Sequence, residues 1–347
     1  MSKKVRILSL DGGGLRGILS GTVICYLEEK LRSETNNANA SIGQYVDMIA
    51  GTSTGGILSL VYLSPDENHH YKYDAQKALE VYLDRGDEIF DVNLRQRLRS
   101  LGGVRDEKYS AAELEEALND YFGDIKLSDL LKPCLITSYN IRDRKTMFFT
   151  NTKAGDRLKN FYVKDVARAT SAAPTYFEPA RIKSLYGSPY ALIDGGVFAN
   201  NPALCAYSEA RTTDFKALLD REDKPSFPTA KDMVIISVGT GSVKTPYTYP
   251  EFKDAGLIKW VRPLIDIMMS GNAETVNYQL RQIFDTLEDE SDKADYVRIE
   301  PELINGSSEM DDGDVENLKA LHEDGLIYVE KNKDFLNEVV QKLLEHA

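Results

Sequence analysis

Val46-Asp47-Met48-Ile49-Ala50-Gly51-Thr52-Ser53-Thr54-Gly55-Gly56 is the stretch whose reading decides the fold. An apolar run reads as a buried strand, and Gly-x-Ser-x-Gly follows it before an apolar helical run, Thr54–Leu63. A serine at the apex of a sharp strand-to-helix turn is exposed to substrate. Its neighbours at −2 and +2, Gly51 and Gly55, must be small because strand and helix pack closely there. The same sequence also occurs as an ordinary Gly/Ser/Thr turn, so placement between strand and helix is what favours a nucleophile.

Strands and helices alternate on either side. Val5–Leu10 reads as a first strand, followed by a helix over Leu15–Leu31 and a polar loop over Ser33–Ser41. Helices are expected over Asp74–Phe90, over Ser110–Phe122 with Ser110 and Glu113 as a capping box, and over Val163–Ser171. Pro133–Tyr139, Thr146–Thr150, Tyr190–Ile193, Met233–Val238 and Tyr296–Ile299 read as strands. Pro202–Arg211, Leu257–Met269 and Asn272–Phe284 read as helices, and the chain beyond Val315 is mostly helical. This pattern predicts an α/β fold, a three-layer sandwich on a mostly parallel central sheet. One catalytic domain over 5–240 is expected, with a mostly helical extension over 241–347 completing or covering it.

Composition narrows the function classes. The 347 residues carry a formal charge of −13, which disfavours a nucleic-acid polymer as partner and sets most of the surface against anionic lipid. Membrane contact would therefore be local and largely apolar. No apolar run approaches the ~20 residues that span a bilayer. Ile7–Leu10 is too short for a signal core, so no secretion signal is expected. Three dispersed cysteines, Cys25, Cys134 and Cys205, fit no metal or redox spacing and suit a reducing, cytoplasmic setting.

A second chemical group comes from Asp194-Gly195-Gly196, after the strand Tyr190–Ile193. The four histidines, His69, His70, His322 and His346, lie in polar stretches remote from either motif. A Ser-His-Asp triad is thus without its imidazole. An aspartate serves as base if dehydration raises its pKa, and Asp194, ending a strand, is expected at the same edge of a parallel sheet as Ser53. Asp-Gly is also a common turn pair.

A third motif, Asp11-Gly12-Gly13-Gly14-Leu15-Arg16-Gly17, contains Gly-x-Gly-x-x-Gly between a strand and a helix. It fits a dinucleotide-binding turn, an oxyanion hole, or a tight turn without ligand. Glu34, at the distance where a ribose-binding acid is wanted, falls in a polar Asn-rich loop. The presence of Ser53 favours the oxyanion hole. The apolar segment Leu257–Met269, with the chain's only tryptophan, reads as a core helix, a lid or a membrane-contact helix.

Together these motifs resemble the patatin-like phospholipase family, helped by Ala169-Thr170-Ser171-Ala172-Ala173-Pro174 and Asn200-Asn201-Pro202. The resemblance covers about residues 5–240. It implies a Ser–Asp dyad acyl hydrolase, with Ser53 as nucleophile and Asp194 as base. Gly12, Gly13, Gly14 and Arg16 would form the oxyanion hole. It implies membrane glycerophospholipids as substrate, no metal or organic cofactor, and a cytoplasmic enzyme that associates transiently with the inner face of the membrane. The organisation is also similar to bacterial antiphage effectors switched on by a cyclic nucleotide. That similarity adds a cyclic dinucleotide activator as an expected partner, although no residue identifies a nucleotide pocket. A constitutive housekeeping lipase and a non-enzymatic dinucleotide-binding protein are the alternatives. A homodimer is compatible with the sequence, which does not set the oligomeric state.

Overall fold

The computed structural model describes residues 3–89, 111–242, 247–286 and 295–347. Phe90 and Ser110, the expected end of one helix and cap of the next, lie outside these residues. Strands β1 (Val5–Leu10), β2 (Met48–Gly51), β3 (Cys134–Asn140), β4 (Lys145–Phe149), β5 (Ala180–Lys183), β6 (Pro189–Asp194), β7 (Met233–Val238) and β8 (Tyr296–Ile299) form one sheet. Its order is β5-β6-β3-β2-β1-β7-β8, with β4 also on β3. The pairs among β3, β2, β1, β7 and β8 are parallel.

Period-two alternation divides the sheet's side chains between two cores. Val5 and Ile7 of β1 face one side with Met48, Ala50, Met233 and Ile235, where the helices Ala203–Ala210 and Leu257–Asp285 cover them. Leu8 and Leu10 face the other with Ile49, Ile136, Val234 and Ile236. There the Gly17–Thr35, Thr54–Leu63 and Ala75–Ile89 helices pack with Val315–Lys331 and Lys333–Glu345. Helices on both faces give the expected three-layer α/β sandwich. The Thr54–Leu63 helix is buried along its whole length, which explains why its sequence is apolar all round.

Several elements differ from the expectation. The first helix continues to Thr35 and ends on Asn36 at φ 50, a left-handed cap whose N–H donates back to the Arg32 and Ser33 carbonyls. The two late helices are one, Leu257–Asp285, running through Ser270 and Gly271. β5 carries no apolar run, Ala-Arg-Ile-Lys, and forms by pairing with β6.

The largest correction concerns β6. It runs antiparallel to β3, so Asp194 does not end a strand of the parallel set. β4 pairs with Ile136–Asn140 along one edge of β3. On the other edge β2 takes Cys134–Ile136 and β6 takes Ser138–Asn140. The two strands approach head-on, Gly51 opposite Ile136 and Asp194 opposite Ser138, with Thr137 between. Asp194 therefore reaches the serine turn from the opposite direction.

At the far end of the sheet, Asp47 accepts from Arg6 Nε and Nη2 at 3.1 and 2.9 Å and from Lys224 Nζ at 2.7 Å. All three are buried. Arg6 and Lys224 also donate to carbonyls of Leu343 and His346, which ties the last helix to the sheet. Removing one partner from a buried cluster strands the other charges. Asp47→Ala is therefore expected to lose about 3–5 kcal/mol of stability, measured by urea unfolding.

Candidate active site

Ser53 stands between β2 and the Thr54–Leu63 helix with φ 54 and ψ −122. A positive φ at a non-glycine residue costs roughly 1–3 kcal/mol and is held by its surroundings. Here the Ser53 N–H donates to Thr170 Oγ1 at 2.8 Å. Thr52 Oγ1 donates to the Ala199 carbonyl at 2.6 Å and shares a hydrogen bond of 2.7 Å with Thr137 Oγ1. Gly51 and Gly55 are required by close approach: a Cβ on Gly51 would lie 2.3 Å from the Gly55 oxygen, and one on Gly55 2.2 Å from the Leu10 oxygen. This is the strained strand-to-helix elbow that sets a serine hydroxyl above the sheet.

Asp194 lies beside it. The Ser53 hydroxyl lies close enough to its carboxylate to favour the ionised form, and Oδ1 accepts the Gly196 N–H at 2.6 Å. The Asp194 N–H donates to the Ala172 carbonyl at 2.9 Å, and Gly195 packs against Thr137. Both Ser53 and Asp194 are buried, at 7% and 4% exposed. Burial raises the Asp194 pKa from 3.8 to about 7, opposed by the nearby Ser53 hydroxyl and the Gly196 N–H. Both residues line a cavity of about 290 Å³ that is otherwise mostly apolar. Its walls include Ile57, Val81, Tyr82, Leu114, Leu118 and Phe177, with Ile265, Met268 and Met269 from the Leu257–Asp285 helix. No histidine lines it.

The glycine loop runs along this cavity, and its members have different parts. A Cβ on Gly12 would sit 2.4 Å from Asn200 Oδ1 and 3.3 Å from Ser53 Cβ. The Gly12 N–H is not available for an oxyanion, because it donates to the Asn200 carbonyl at 3.1 Å. Gly13 and Gly14 keep N–H groups without a partner among the described residues, and Gly14 lines the cavity. Arg16 is buried but does not line the cavity, and its Nε has no partner among the described residues. Burial lowers its pKa, against nearby Asp266 and Glu300.

The dinucleotide reading fails on this loop. A pyrophosphate needs the N–H groups opening the helix, yet the Leu15 N–H donates to the Met310 carbonyl at 2.8 Å. That same oxygen would stand 2.2 Å from a Cβ on Gly14.

Four residues that sequence reasoning did not single out brace the site. Thr170 holds the Ser53 amide. Asn200 Nδ2 and Thr240 Oγ1 both donate to the Gly12 carbonyl, at 3.3 and 2.8 Å. Arg298 of β8 donates to Asp11 Oδ2 at 2.7 Å and to Ser237 Oγ at 2.8 Å, and also pairs with Glu300. Thr170 and Asn200 fall inside flanking segments already noticed; Arg298 had no local signal. Among the described residues, no cluster of His, Cys, Asp or Glu could hold a metal ion. None of the helices there is long and apolar enough to cross a membrane.

A parallel-sheet α/β fold with a strained elbow serine, a buried carboxylate beside it and an apolar cavity defines a hydrolase of apolar esters. The sequence comparisons make the class specific. The model of the family described as patatin-like phospholipase matches residues 8–207. The chain is 32% identical to patatin-like protein 2 of Oryza sativa subsp. japonica, over 95% of this chain and 85% of that one. It is 31% identical to patatin-like protein 2 of Arabidopsis thaliana, over 92% and 82%, and 29% identical to patatin group J-1 of Solanum tuberosum, over 95% and 85%. The chain belongs to the patatin-like phospholipase family and is a lipid acyl hydrolase. These relatives are plant proteins, and the expected kinship to antiphage effectors gains nothing from them.

The buried Asp194 carboxylate has a stability consequence. An unfolded aspartate ionises near 3.9, and the folded one near 7. Between those values the folded state keeps a proton that the unfolded state has lost, so this group's contribution falls as pH rises. Relative to wild type, Asp194→Asn should therefore be more stable at pH 8 than at pH 4, read as the difference in Tm between the two proteins at each pH.

Proposed function

We propose that this chain is a phospholipase of the A type that releases fatty acids from membrane glycerophospholipids through a Ser53–Asp194 dyad. The observation that carries the proposal is the Ser53 hydroxyl beside a buried carboxylate whose pKa is pushed up to about 7. A base matched to neutral pH can take the serine proton, and no imidazole is needed to relay it.

In the first step Ser53 Oγ bonds to the ester carbonyl carbon and its proton passes to Asp194. The carbonyl oxygen becomes an anion, for which the N–H groups of Gly13, Gly14 and Thr54, without a hydrogen-bond partner among the described residues, would serve as donors. Collapse breaks the ester C–O bond, and Asp194 returns the proton to the leaving alcohol oxygen. Water then attacks the acyl-serine, giving its proton to Asp194. When the second tetrahedral anion collapses, the fatty acid leaves and Ser53 regains its hydrogen. The apolar cavity holds the acyl chain.

Three results test this reading. Ser53→Ala abolishes fatty-acid release from phospholipid, and Asp194→Asn lowers it by roughly 10²–10⁴-fold, while both proteins unfold cooperatively. Unchanged release in either variant removes the dyad. In the wild type, kcat/KM on a neutral ester rises with pH and levels off above about 7, because only ionised Asp194 accepts the serine proton. Ala117→Phe narrows the cavity that Ala117 lines and shifts the preference towards shorter acyl chains, measured on an ester series of increasing length.

A further inference from the structure

The Leu257–Asp285 helix does two things at once. Ile265, Met268 and Met269 face inward and line the cavity above the serine. At the same height an outward ridge carries Trp260, Leu264, Ile267 and Met268, which are 38%, 50%, 42% and 46% exposed. The spacing of four, three and four or one residues sets these on one side of the helix. Met268 belongs to both sets, so the exposed ridge runs into the cavity wall without a break. Beyond Ser270 the same outward line turns mostly polar and small, with Gly271, Glu274 and Thr275 exposed before Tyr278 at 66%. The aliphatic part of the ridge is confined to the half of the helix that borders the cavity.

Aromatic rings extend the ridge. Phe252 packs at a tilt against Trp260 with centroids 4.8 Å apart and edge-on against Tyr247 at 5.3 Å. Tyr247 and Tyr249 are 47% and 80% exposed. Amphipathic rings beside an aliphatic ridge are the composition that settles at the boundary between lipid and water. Local charges are of both signs and partly engaged: Lys259 Nζ donates to the Glu251 carbonyl at 2.6 Å, and Asp266 accepts from Tyr247 Oη at 3.1 Å.

We infer that this ridge is the surface on which the enzyme docks to a zwitterionic phospholipid bilayer, with the Leu257–Asp285 helix lying on the lipid and passing acyl chains inward past Met268. This rests on the proposed phospholipase reading, which requires a substrate drawn from a bilayer. A soluble partner is disfavoured by continuity: the ridge opens into a cavity lined with acyl-compatible side chains. The formal charge of −13 makes an anionic surface the wrong target and leaves apolar insertion as the attraction.

Trp260 is the chain's only tryptophan, so its fluorescence reports on the ridge directly. The Ser53→Ala protein, which binds without turnover, is mixed with phosphatidylcholine vesicles. Its emission should move to shorter wavelength and be quenched by bromine-labelled lipid. In the Ser53→Ala background, Leu264→Glu with Ile267→Glu should weaken vesicle binding by at least about tenfold. In the active enzyme, the same pair should lower vesicle hydrolysis similarly and leave a monomeric short-chain ester hydrolysed at the wild-type rate. If the pair also impairs the monomeric ester, Ile267→Ser alone carries the comparison. Wild-type vesicle binding by the substituted protein overturns the inference, as does emission insensitive to lipid. Binding confined to phosphatidylglycerol vesicles overturns it too, as does a spectral shift that follows protein concentration without lipid, which assigns the ridge to a second copy. Ester hydrolysis that survives Ser53→Ala would instead overturn the dyad.

Discussion

Two strands share one edge of β3, and the site depends on that sharing. β2 pairs with the first part of the edge and β6, coming from the opposite direction, with the last. Each stops where the other would begin. Backbone pairing thus brings a strand-to-helix turn and an Asp-Gly turn into contact, with Thr137 as the spacer that both sides touch. Thr52 bonds its hydroxyl, and only a glycine at 195 leaves room beside it. The sheet itself thus sets the serine beside the carboxylate, the arrangement on which the proposed dyad rests.

Three buried carboxylates show how neighbours divide their tasks. Desolvation raises the pKa of each. At Asp47 it is overcome by two cations, Arg6 and Lys224, and the group stays below its ordinary value. Asp11 has one cation, Arg298, and a competing acid, Glu300, and comes to about 6. Asp194 has no cation beside it among the described residues and reaches about 7. The carboxylate proposed to exchange a proton is thus the one of these three without a counter-ion there, while the two with counter-ions hold the sheet ends in place.

The last third of the chain takes part in this arrangement, although the family match ends at residue 207. β8 extends the same sheet and sends Arg298 to Asp11, at the entrance to the glycine loop. The Met310 carbonyl closes the opening turn of the first helix. The Leu257–Asp285 helix supplies one wall of the cavity. These segments order the loop and enclose the apolar space, and they carry the surface where substrate would arrive.

Local pattern in the sequence determined a good deal of this protein. Apolar strands ending in glycine, the elbow around Ser53, the Asp194 turn and the α/β class all follow from short-range periodicity and from residues whose size or backbone freedom is unusual. β1 and β7 were legible to the residue because central parallel strands are largely apolar, and β8, at the edge of the sheet, by its short Tyr-Val-Arg-Ile run. Tertiary structure alone decided the rest. The direction of β6, the loss of the Gly12 N–H to Asn200, the capping of Leu15 by Met310 and the reach of Arg298 to Asp11 are contacts across 188 to 295 positions of chain or a choice of strand partner. Nothing in the local sequence encodes them, since a hydrogen-bond donor or a strand edge looks the same before its partner arrives. Burial makes the final difference: an aspartate is an ordinary acid until packing removes the water from around it.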